Sequence, residues 1–201
     1  MNKHVFARLI AMLTKVKLLH PLLEPYLWKN MVNRYCKKKT VLHKQDDVVD
    51  KAYFIGTGYI MIYYIDDGRK HVLRICGPNE IVAGKSFMSG KASGYYVEAV
   101  KDSYLLAVTA HQMKVAYETI PETEELARLV LASFEEKELK RDEMIRKGGE
   151  ESVLHFYTTY PDLLHSKIIT LEDIASYLHM TLKTLYLLKK KLIEKGLLPD
   201  C

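Results

Sequence analysis

The sequence contains few cysteines and no closely spaced cysteine pair. Only Cys36, Cys76 and Cys201 occur among 201 residues, and no two of them form a Cys-x-x-Cys pair. An odd number of scattered cysteines is typical of a reducing compartment and excludes a disulfide framework. Without a Cys-x-x-Cys pair, neither a zinc knuckle nor a thioredoxin-type site is expected.

Long hydrophobic runs are also missing. No stretch of eighteen uncharged apolar residues occurs, which excludes a transmembrane helix. Near the N-terminus, Arg8 and Lys15 interrupt the apolar residues, so we expect no secretory signal peptide. We therefore expect a cytoplasmic protein with no membrane partner. Apolar residues make up 48% of the chain, which is enough for a packed core.

Signatures of catalysis and metal binding are absent as well. The chain has no Gly-x-Ser-x-Gly and no His-Glu-x-x-His motif. Gly84-Lys85-Ser86 resembles the end of a phosphate-binding P-loop, but the required earlier glycine is replaced by Asn79. The eight histidines show no metal-ligand spacing. We expect no enzyme, no catalytic residues, no metal and no cofactor.

Positive charge is present but unevenly distributed. The net charge is +5, and residues 1–44 alone carry ten Lys or Arg against the single acid Glu24. A second group of basic residues lies near the C-terminus: Lys183, Lys189, Lys190, Lys191 and Lys195. Such clusters suit contact with nucleic acid, although solvated surfaces share the pattern. For the N-terminal segment, a solvated helix face and a supplementary contact with DNA or RNA polymerase both stay open.

The spacing of apolar residues changes along the chain. Residues 3–20 have helical spacing that ends at Pro21. From about residue 40 the period becomes two, in short runs rich in β-branched and aromatic residues and separated by turn formers. Asp67-Gly68 between two such runs predicts a β-hairpin. Seven or eight short strands with frequent turns indicate an antiparallel barrel or roll.

A long helix is predicted over residues 121–148. It carries an apolar stripe formed by Leu126, Leu129, Val130 and Phe134. Beyond Phe134 the stripe thins into a charged face, so the helix needs a partner. Gly148-Gly149 predicts its end.

Residues 171–188 have the layout of a helix-turn-helix. Thr170 and Thr181 are placed to cap the two helices, and Ala175 suits a close crossing between them. His179 occupies the turn position usually taken by glycine and must adopt a left-handed conformation. The exposed face of the second helix would present Lys183, Thr184, Tyr186, Lys189 and Lys190. An ordinary helical hairpin with a solvated lysine face fits the same spacing.

This order of parts resembles the Crp/Fnr superfamily of bacterial transcription regulators. The segments that carry the resemblance are 53–58 with the following hairpin, 86–93 leading into 96–99, and the helix pair at 171–188. The resemblance implies an α+β fold: an antiparallel β-roll (a cyclic-nucleotide-binding-like double-stranded β-helix), a long dimerisation helix, and a C-terminal winged helix-turn-helix. The corresponding domains are 1–120 (roll and N-terminal helices), 121–148 (dimerisation helix) and 149–201 (DNA binding). It further implies a homodimer on double-stranded DNA, with an effector bound in the roll.

Two departures from the family pattern alter these expectations. Cyclic-AMP-binding members hold the ligand with a Gly-Glu pair and an Arg-Ser pair, whereas this chain has Gly84-Lys85 and Ser93-Gly94. Without the arginine fork, we expect no cyclic AMP binding of the usual kind, and another small effector stays open. The corresponding pocket would be lined by Gly84, Lys85, Ser86, Ser93, Gly94 and Tyr95. No iron–sulfur cluster is expected, because only Cys36 lies in the N-terminal region.

The second departure concerns base recognition. The positions that match the family's base-reading residues are Leu182, Lys183 and Leu187. Leucine can touch a thymine methyl group but cannot hydrogen-bond a base. We therefore expect AT-leaning recognition that depends on phosphate contacts from Thr170, Thr181, Thr184, Lys189 and Lys190. The alternative is an effector-binding or protein-interaction module of the same architecture with weak DNA binding, in which Leu187 faces a protein partner.

Overall fold

The computed structural model describes residues 1–200, and of Lys85 it describes only the backbone. These residues form two compact units. Unit 1 consists of residues 1–62 and 76–134, and unit 2 of residues 63–75 together with 135 onward. The sequence predicted three parts with borders at residues 120 and 148, which are the ends of the predicted long helix. That division stays a prediction.

Two short helices open unit 1, and the first of them lies where the helical spacing of residues 3–20 predicted it. The first is α1 (Lys3–Val16), which is capped by the Asn2 side chain accepting from the amides of His4 and Val5 at 3.0 and 3.3 Å. The second, α2 (Leu23–Asn30), follows Pro21. Both helices turn their apolar stripes inward, because the buried residues are Val5, Phe6, Leu9 and Leu13 in α1 and Leu23 and Leu27 in α2.

Eight strands form two four-stranded sheets, in agreement with the predicted antiparallel roll. The first sheet has the order β1-β8-β3-β6 and the second β2-β7-β4-β5. The described pairings β1–β8, β3–β8, β3–β6 and β2–β7 are all antiparallel. The strands are β1 (Val32–Cys36), β2 (Thr40–His43), β3 (Lys51–Thr57), β4 (Ile60–Asp66), β5 (Arg69–Cys76), β6 (Ile81–Val82), β7 (Tyr96–Ala99) and β8 (Ser103–Thr109).

Two predicted turns are confirmed by their backbone geometry. Asp67 and Gly68 both have positive φ, 46° and 73°, at the tip of the β4–β5 hairpin. Gly58, between β3 and β4, has φ +78°, and a Cβ there would lie 2.3 Å from Oγ of Ser103. That hydroxyl holds the turn by accepting from the Tyr59 amide at 3.1 Å and donating to the Val100 carbonyl at 2.8 Å.

The first sheet separates two apolar layers within unit 1. Alternate residues of β3 point to opposite faces, so Phe54 joins one layer and Tyr53 and Ile55 the other. The layer containing Phe54 also contains α1, α2 and the helices α4 (Ala110–Thr119) and α5 (Thr123–Lys147) up to Phe134. The layer containing Tyr53 fills the space inside the roll.

The long helix ends where the sequence predicted. The α5 helix stops at Lys147, and Gly148 and Gly149 follow with φ of 64° and 58°. Within the described residues, one short helix, α3 (Lys85–Ser89), lies between the strands β6 and β7 of the roll. It ends at Gly90, whose φ of 67° lies in the left-handed region.

The C-terminal residues of unit 2 are helical. They form α6 (Gly149–Thr159), a 3-10 turn (Pro161–Leu163), α7 (Leu171–Tyr177) and α8 (Leu182–Glu194). The core between them is aromatic: the Phe156 ring lies 5.1–5.5 Å from those of Tyr157, Tyr160 and Tyr177. No strand occurs between residues 149 and 200, so the described residues contain no wing.

Candidate nucleic-acid interface

The helix pair α7 and α8 has the turn geometry that the sequence predicted. The two helices are joined by four residues, and His179 within them has φ 54°, as expected for a residue standing where glycine is usual. The Met180 amide donates to the Ala175 carbonyl at 3.0 Å, which closes the turn. Ala175 is buried at the crossing, where a larger side chain would push the helices apart.

Both predicted helix caps are present. The Thr170 hydroxyl accepts from the Asp173 amide at 3.1 Å, and the Thr181 hydroxyl accepts from the Thr184 amide at the same distance. The hydroxyls of Thr181 and Thr184 are also hydrogen-bonded to each other at 2.8 Å. The first-turn amides that these caps leave unpaired give the exposed N-terminus of α8 a positive end suited to a phosphate.

One face of α8 is open to solvent. Leu182, Tyr186 and Leu187 are 41%, 60% and 54% exposed, although they are large apolar or aromatic residues. Lys183 and Thr184 lie exposed beside them, whereas Leu185 on the opposite face is fully buried. The three positions matched to base reading, Leu182, Lys183 and Leu187, therefore share one accessible surface with Thr184 and Tyr186. We call these five residues the α8 face.

The other predicted phosphate-contacting residues are placed differently. The Lys189 ammonium donates to the Leu164 carbonyl and lies 5.3 Å from the centre of the Tyr157 ring, so it helps to hold the core of unit 2 together. Lys190 is exposed and lies 3.7 Å from Glu194 on its own helix. Their role at a nucleic acid stays a prediction.

Glu150 of α6 neutralises part of the C-terminal basic cluster. Its two carboxylate oxygens lie 2.5 Å from the ammonium groups of Lys191 and Lys195. Hydrogen bonds to Lys191 and Lys195 hold the pKa of the Glu150 carboxyl below its usual value. Within the cluster, Lys183 is the lysine that lies on the α8 face itself.

The first helix of the pair has contacts that sequence reasoning missed. In unit 2, the Ser176 hydroxyl accepts from the Val72 amide of β5 at 2.9 Å, and the Asp173 carboxylate lies 2.9 Å from the Lys70 ammonium. Asp173 is buried, so its charge requires such a partner. These residues are about a hundred positions apart in sequence, and no local pattern signals the contact.

The predicted effector residues form a loop fastened by its own hydrogen bonds. The Ser86 hydroxyl accepts from the Val49 amide at 2.8 Å and donates to the Lys91 carbonyl at 2.5 Å. Ser93 exchanges backbone hydrogen bonds with Asp46 and Asp47 at 2.7 and 2.9 Å. The Ser86 hydroxyl and the Ser93 backbone are therefore already hydrogen-bonded to other residues of the protein.

The other predicted effector residues lie beside these two serines. Gly84 precedes α3, Gly94 follows Ser93, and Tyr95 is exposed. The side chain of Lys85 lies outside the described residues.

The interior of the roll is filled by side chains. Among them, His43 Nε2 and the Tyr53 hydroxyl are hydrogen-bonded at 2.9 Å in a buried pair. Burial lowers the pKa of His43, since it disfavours the imidazolium ion, and raises the pKa of Tyr53 to about 12.

The predicted dimer-helix residues lie in two environments. Leu126 and Val130 are buried in the apolar layer of unit 1, and Phe134 packs against the same layer. Leu129 is half-buried. Further along α5, Leu139 is 65% exposed, although it is a large apolar residue. Dimerisation through this helix stays a prediction.

Two further kinds of feature are absent from residues 1–200. Among residues 1–200, no group of three or more His, Cys, Asp or Glu side chains could hold a metal ion. No helix in this part of the chain is both long enough and apolar enough to cross a membrane.

Comparison with known proteins identifies the fold. Residues 33–119 match the family model of the cyclic nucleotide-binding domain. FixK2 from Bradyrhizobium japonicum superimposes with a TM-score of 0.70 at 18% identity, over 83% of this chain and 86% of that chain. A putative transcriptional regulator of the Crp/Fnr family from Eubacterium rectale gives 0.66 at 18% identity, over 89% and 85%. The c-di-GMP-responsive global regulator CLP from Xanthomonas campestris gives 0.61 at 14% identity, over 86% and 91%. No curated protein matches the chain in sequence.

At these identities the likeness establishes the fold. The chain has a cyclic nucleotide-binding fold, a long helix and a C-terminal group of helices. More particularly, it shares this fold with FixK2 and with a putative regulator of the Crp/Fnr family, and the predicted resemblance is confirmed at the level of the fold.

Proposed function

We propose that the chain is a transcription regulator that binds double-stranded DNA as a homodimer, with α7 and α8 as a helix-turn-helix, and that it is not an enzyme. The observation that carries the proposal is the α8 face. Three large apolar or aromatic side chains and a lysine are exposed at the capped start of one helix, where burial would be expected unless a partner covers them. A major groove admits such a helix.

The composition of the α8 face specifies how the DNA is read. Leu182 and Leu187 contact thymine methyl groups, and Lys183 and the amides at the start of α8 contact phosphates. The expected operator is therefore AT-rich and near-palindromic, with half-sites separated by about 10 base pairs.

The test begins with a duplex selected from a randomised library and uses fluorescence anisotropy at two salt concentrations. The Lys183→Gln variant should lower the slope of log K against log salt by about 0.9 per protomer, the value for one phosphate contact. Lys114→Gln is the matched control, because Lys114 is an exposed lysine of α4 in unit 1. Equal slopes for the two variants would contradict the role of Lys183.

Base reading is tested separately by replacing thymine with uracil in the selected duplex, which removes only the methyl group. We expect weaker binding by the wild type and little further effect in Leu187→Ala. If neither replacement changes the affinity, direct reading by the leucines is wrong.

The proposed dimer uses the side of α5 that unit 1 does not bury. Leu129, Ala132 and Leu139 are spaced by three and seven residues, the repeat that brings side chains to one seam of paired helices. Leu139→Glu should convert the dimer to a monomer in light scattering. The matched control is Leu18→Glu, because Leu18 is 82% exposed. A dimer that survives Leu139→Glu would refute this seam.

In the roll, we propose that cyclic AMP does not bind in the usual way. The Ser86 hydroxyl is already engaged, and no arginine occupies the position that would grip the phosphate. Calorimetric titration with cyclic AMP should give no heat of binding. Saturable binding with one site per chain would overturn this part.

A second candidate is a protein-interaction module with weak DNA binding. It is favoured by the same exposed Leu182, Tyr186 and Leu187, since aromatic and leucine side chains also suit a protein interface. A titration with steep salt dependence but no preference among duplexes would support this candidate over sequence-specific regulation.

A further inference from the structure

A cavity lies in unit 1 on the outer side of the first sheet. It has a volume of about 110 Å³, is partly open to solvent, and is lined by residues of α1, α2, β3, α3, α4 and the first three turns of α5. None of the six residues that sequence reasoning had assigned to an effector lines this cavity, although Phe87 and Met88 of the same loop do. For comparison, an engineered apolar cavity of about 150 Å³ in another protein stays dry and binds benzene.

The lining is almost entirely apolar. It consists of aliphatic and aromatic side chains such as Leu13, Leu27, Phe54 and Val130, and it contains no charged side chain among the described residues. Water needs two to four polar partners to be stable in a cavity, and this lining offers few. The absence of positive charge also excludes a phosphate or a cyclic nucleotide.

Two hydroxyl groups on the lining lack hydrogen-bond partners. Thr123, the first residue of α5, is 2% exposed, and its Oγ1 has no hydrogen-bond partner within the described residues. Buried hydroxyls without a partner are uncommon in folded proteins.

The second hydroxyl belongs to Tyr117, which has no hydrogen-bond partner in the same part of the chain. Burial and, secondarily, the Glu124 carboxylate raise the pKa of Tyr117. Glu124 follows Thr123 directly, so both hydroxyls belong to the end of the cavity where α5 begins. The charge of Glu124 disfavours an anionic ligand there.

We propose that this cavity binds a neutral, mainly hydrocarbon small molecule, about the size of one aromatic ring, that carries a single hydroxyl or carbonyl group. The hydrocarbon part fills the apolar space, and the polar group pairs with the hydroxyl of Thr123 or Tyr117. Leu126, Val130 and Phe134 of α5 line the same space, so the ligand packs against the helix proposed to form the dimer. Any effect on DNA binding rests on the proposed function, whereas binding itself does not.

The test uses p-cresol as the probe and calorimetric titration of the full chain without DNA. We expect one site per chain. Toluene lacks the hydroxyl and should bind about two- to tenfold more weakly, the factor for one lost hydrogen bond. Benzoate, an anion of the same size, should not bind. Benzoate binding as strong as that of p-cresol, or no p-cresol binding up to its solubility limit, would overturn the proposal.

Two variants locate the site. Ala127→Leu fills the cavity from α5 and should abolish binding of both p-cresol and toluene. The matched control Ala11→Leu makes the same change at an exposed position of α1, outside the lining, and should leave binding intact. If Ala127→Leu does not fold, Ala83→Val fills the same space from the sheet side. Unchanged p-cresol binding in a folded filling variant would place the ligand elsewhere.

The Thr123→Val variant tests the polar contact, because it preserves shape and removes the hydroxyl. It should reduce p-cresol affinity to the toluene value and leave toluene affinity unchanged. Tyr117→Phe is the parallel variant, and one of the two should show this pattern. If neither does, the assignment of the polar group is wrong. Because no DNA is present, these outcomes are independent of whether the chain regulates transcription.

Discussion

His179 offers a sharp test of the turn between α7 and α8. The residue has φ 54°, a left-handed conformation that costs a residue with a Cβ about 1–2 kcal/mol. Replacement by glycine removes that cost and adds an entropic cost of about 0.5–1 kcal/mol, because glycine loses more freedom on folding. The His179 side chain is exposed and has no hydrogen bond in the described residues, so its removal costs little. We therefore expect His179→Gly to stabilise unit 2 by about 0.5–1 kcal/mol.

Thermal unfolding of the full chain, combined with hydrogen exchange of the α7 and α8 amides, measures this effect. For a unit of this size the gain corresponds to a rise in Tm of about 2–8 °C. Two control variants bracket it. His179→Asn should be close to the wild type, because asparagine tolerates the left-handed region, and His179→Val should be less stable, because β-branched residues do not.

The expected order of stability is glycine, then histidine and asparagine, then valine. If the glycine variant is no more stable than the valine variant, the turn is not left-handed in solution. The predicted helix-turn-helix geometry would then fail with it.

Three further predictions concern stability. Leu185 is a fully buried residue of α8, so Leu185→Ala should lower the free energy of unfolding by about 2–5 kcal/mol, as measured by urea titration. A loss below about 1 kcal/mol would contradict the place of Leu185 in the core. Ser176→Ala should lower the free energy of unfolding by about 1–3 kcal/mol, because it removes the acceptor of the Val72 amide. Hydrogen exchange at the Val72 amide should become faster in this variant, and unchanged exchange would refute the contact. His43 has a lowered pKa, so the unfolded chain binds its proton more readily and the free energy of unfolding should fall as pH drops through about 6.5. His43→Gln keeps a hydrogen-bonding group beside Tyr53 without titrating, and an identical pH dependence of its urea midpoint would show that His43 does not contribute.

Local features of the sequence were predicted well because neighbouring residues determine them. The left-handed His179, the caps at Thr170 and Thr181, and the Asp67-Gly68 hairpin each depend on the backbone preferences of one or two residues. The change from helical to alternating spacing near residue 40 likewise marks the start of the strands.

Contacts between distant segments were not predictable in the same way. Lys189 resembles a phosphate-binding residue in sequence, yet the carbonyl of Leu164 and the ring of Tyr157 hold it inside unit 2. Leu126 and Val130 form the apolar stripe expected of a dimer helix, but burial in the layer of unit 1 satisfies them within the chain. An apolar or charged side chain predicts that a partner exists, and only the fold shows which partner it is.

The β4–β5 hairpin has a consequence for any attempt to study the parts of the chain separately. Residues 63–75 belong to the same compact unit as the C-terminal helices, and the Val72 amide, Lys70 and the Ile75 carbonyl find partners on Ser176, Asp173 and Tyr160. A protease that cut the backbone at Gly148 would thus leave both products incomplete. The N-terminal fragment would contain the β4–β5 hairpin without the helices it contacts, and the C-terminal fragment would lack the hairpin. Because these contacts can persist after cleavage, the two fragments should remain associated.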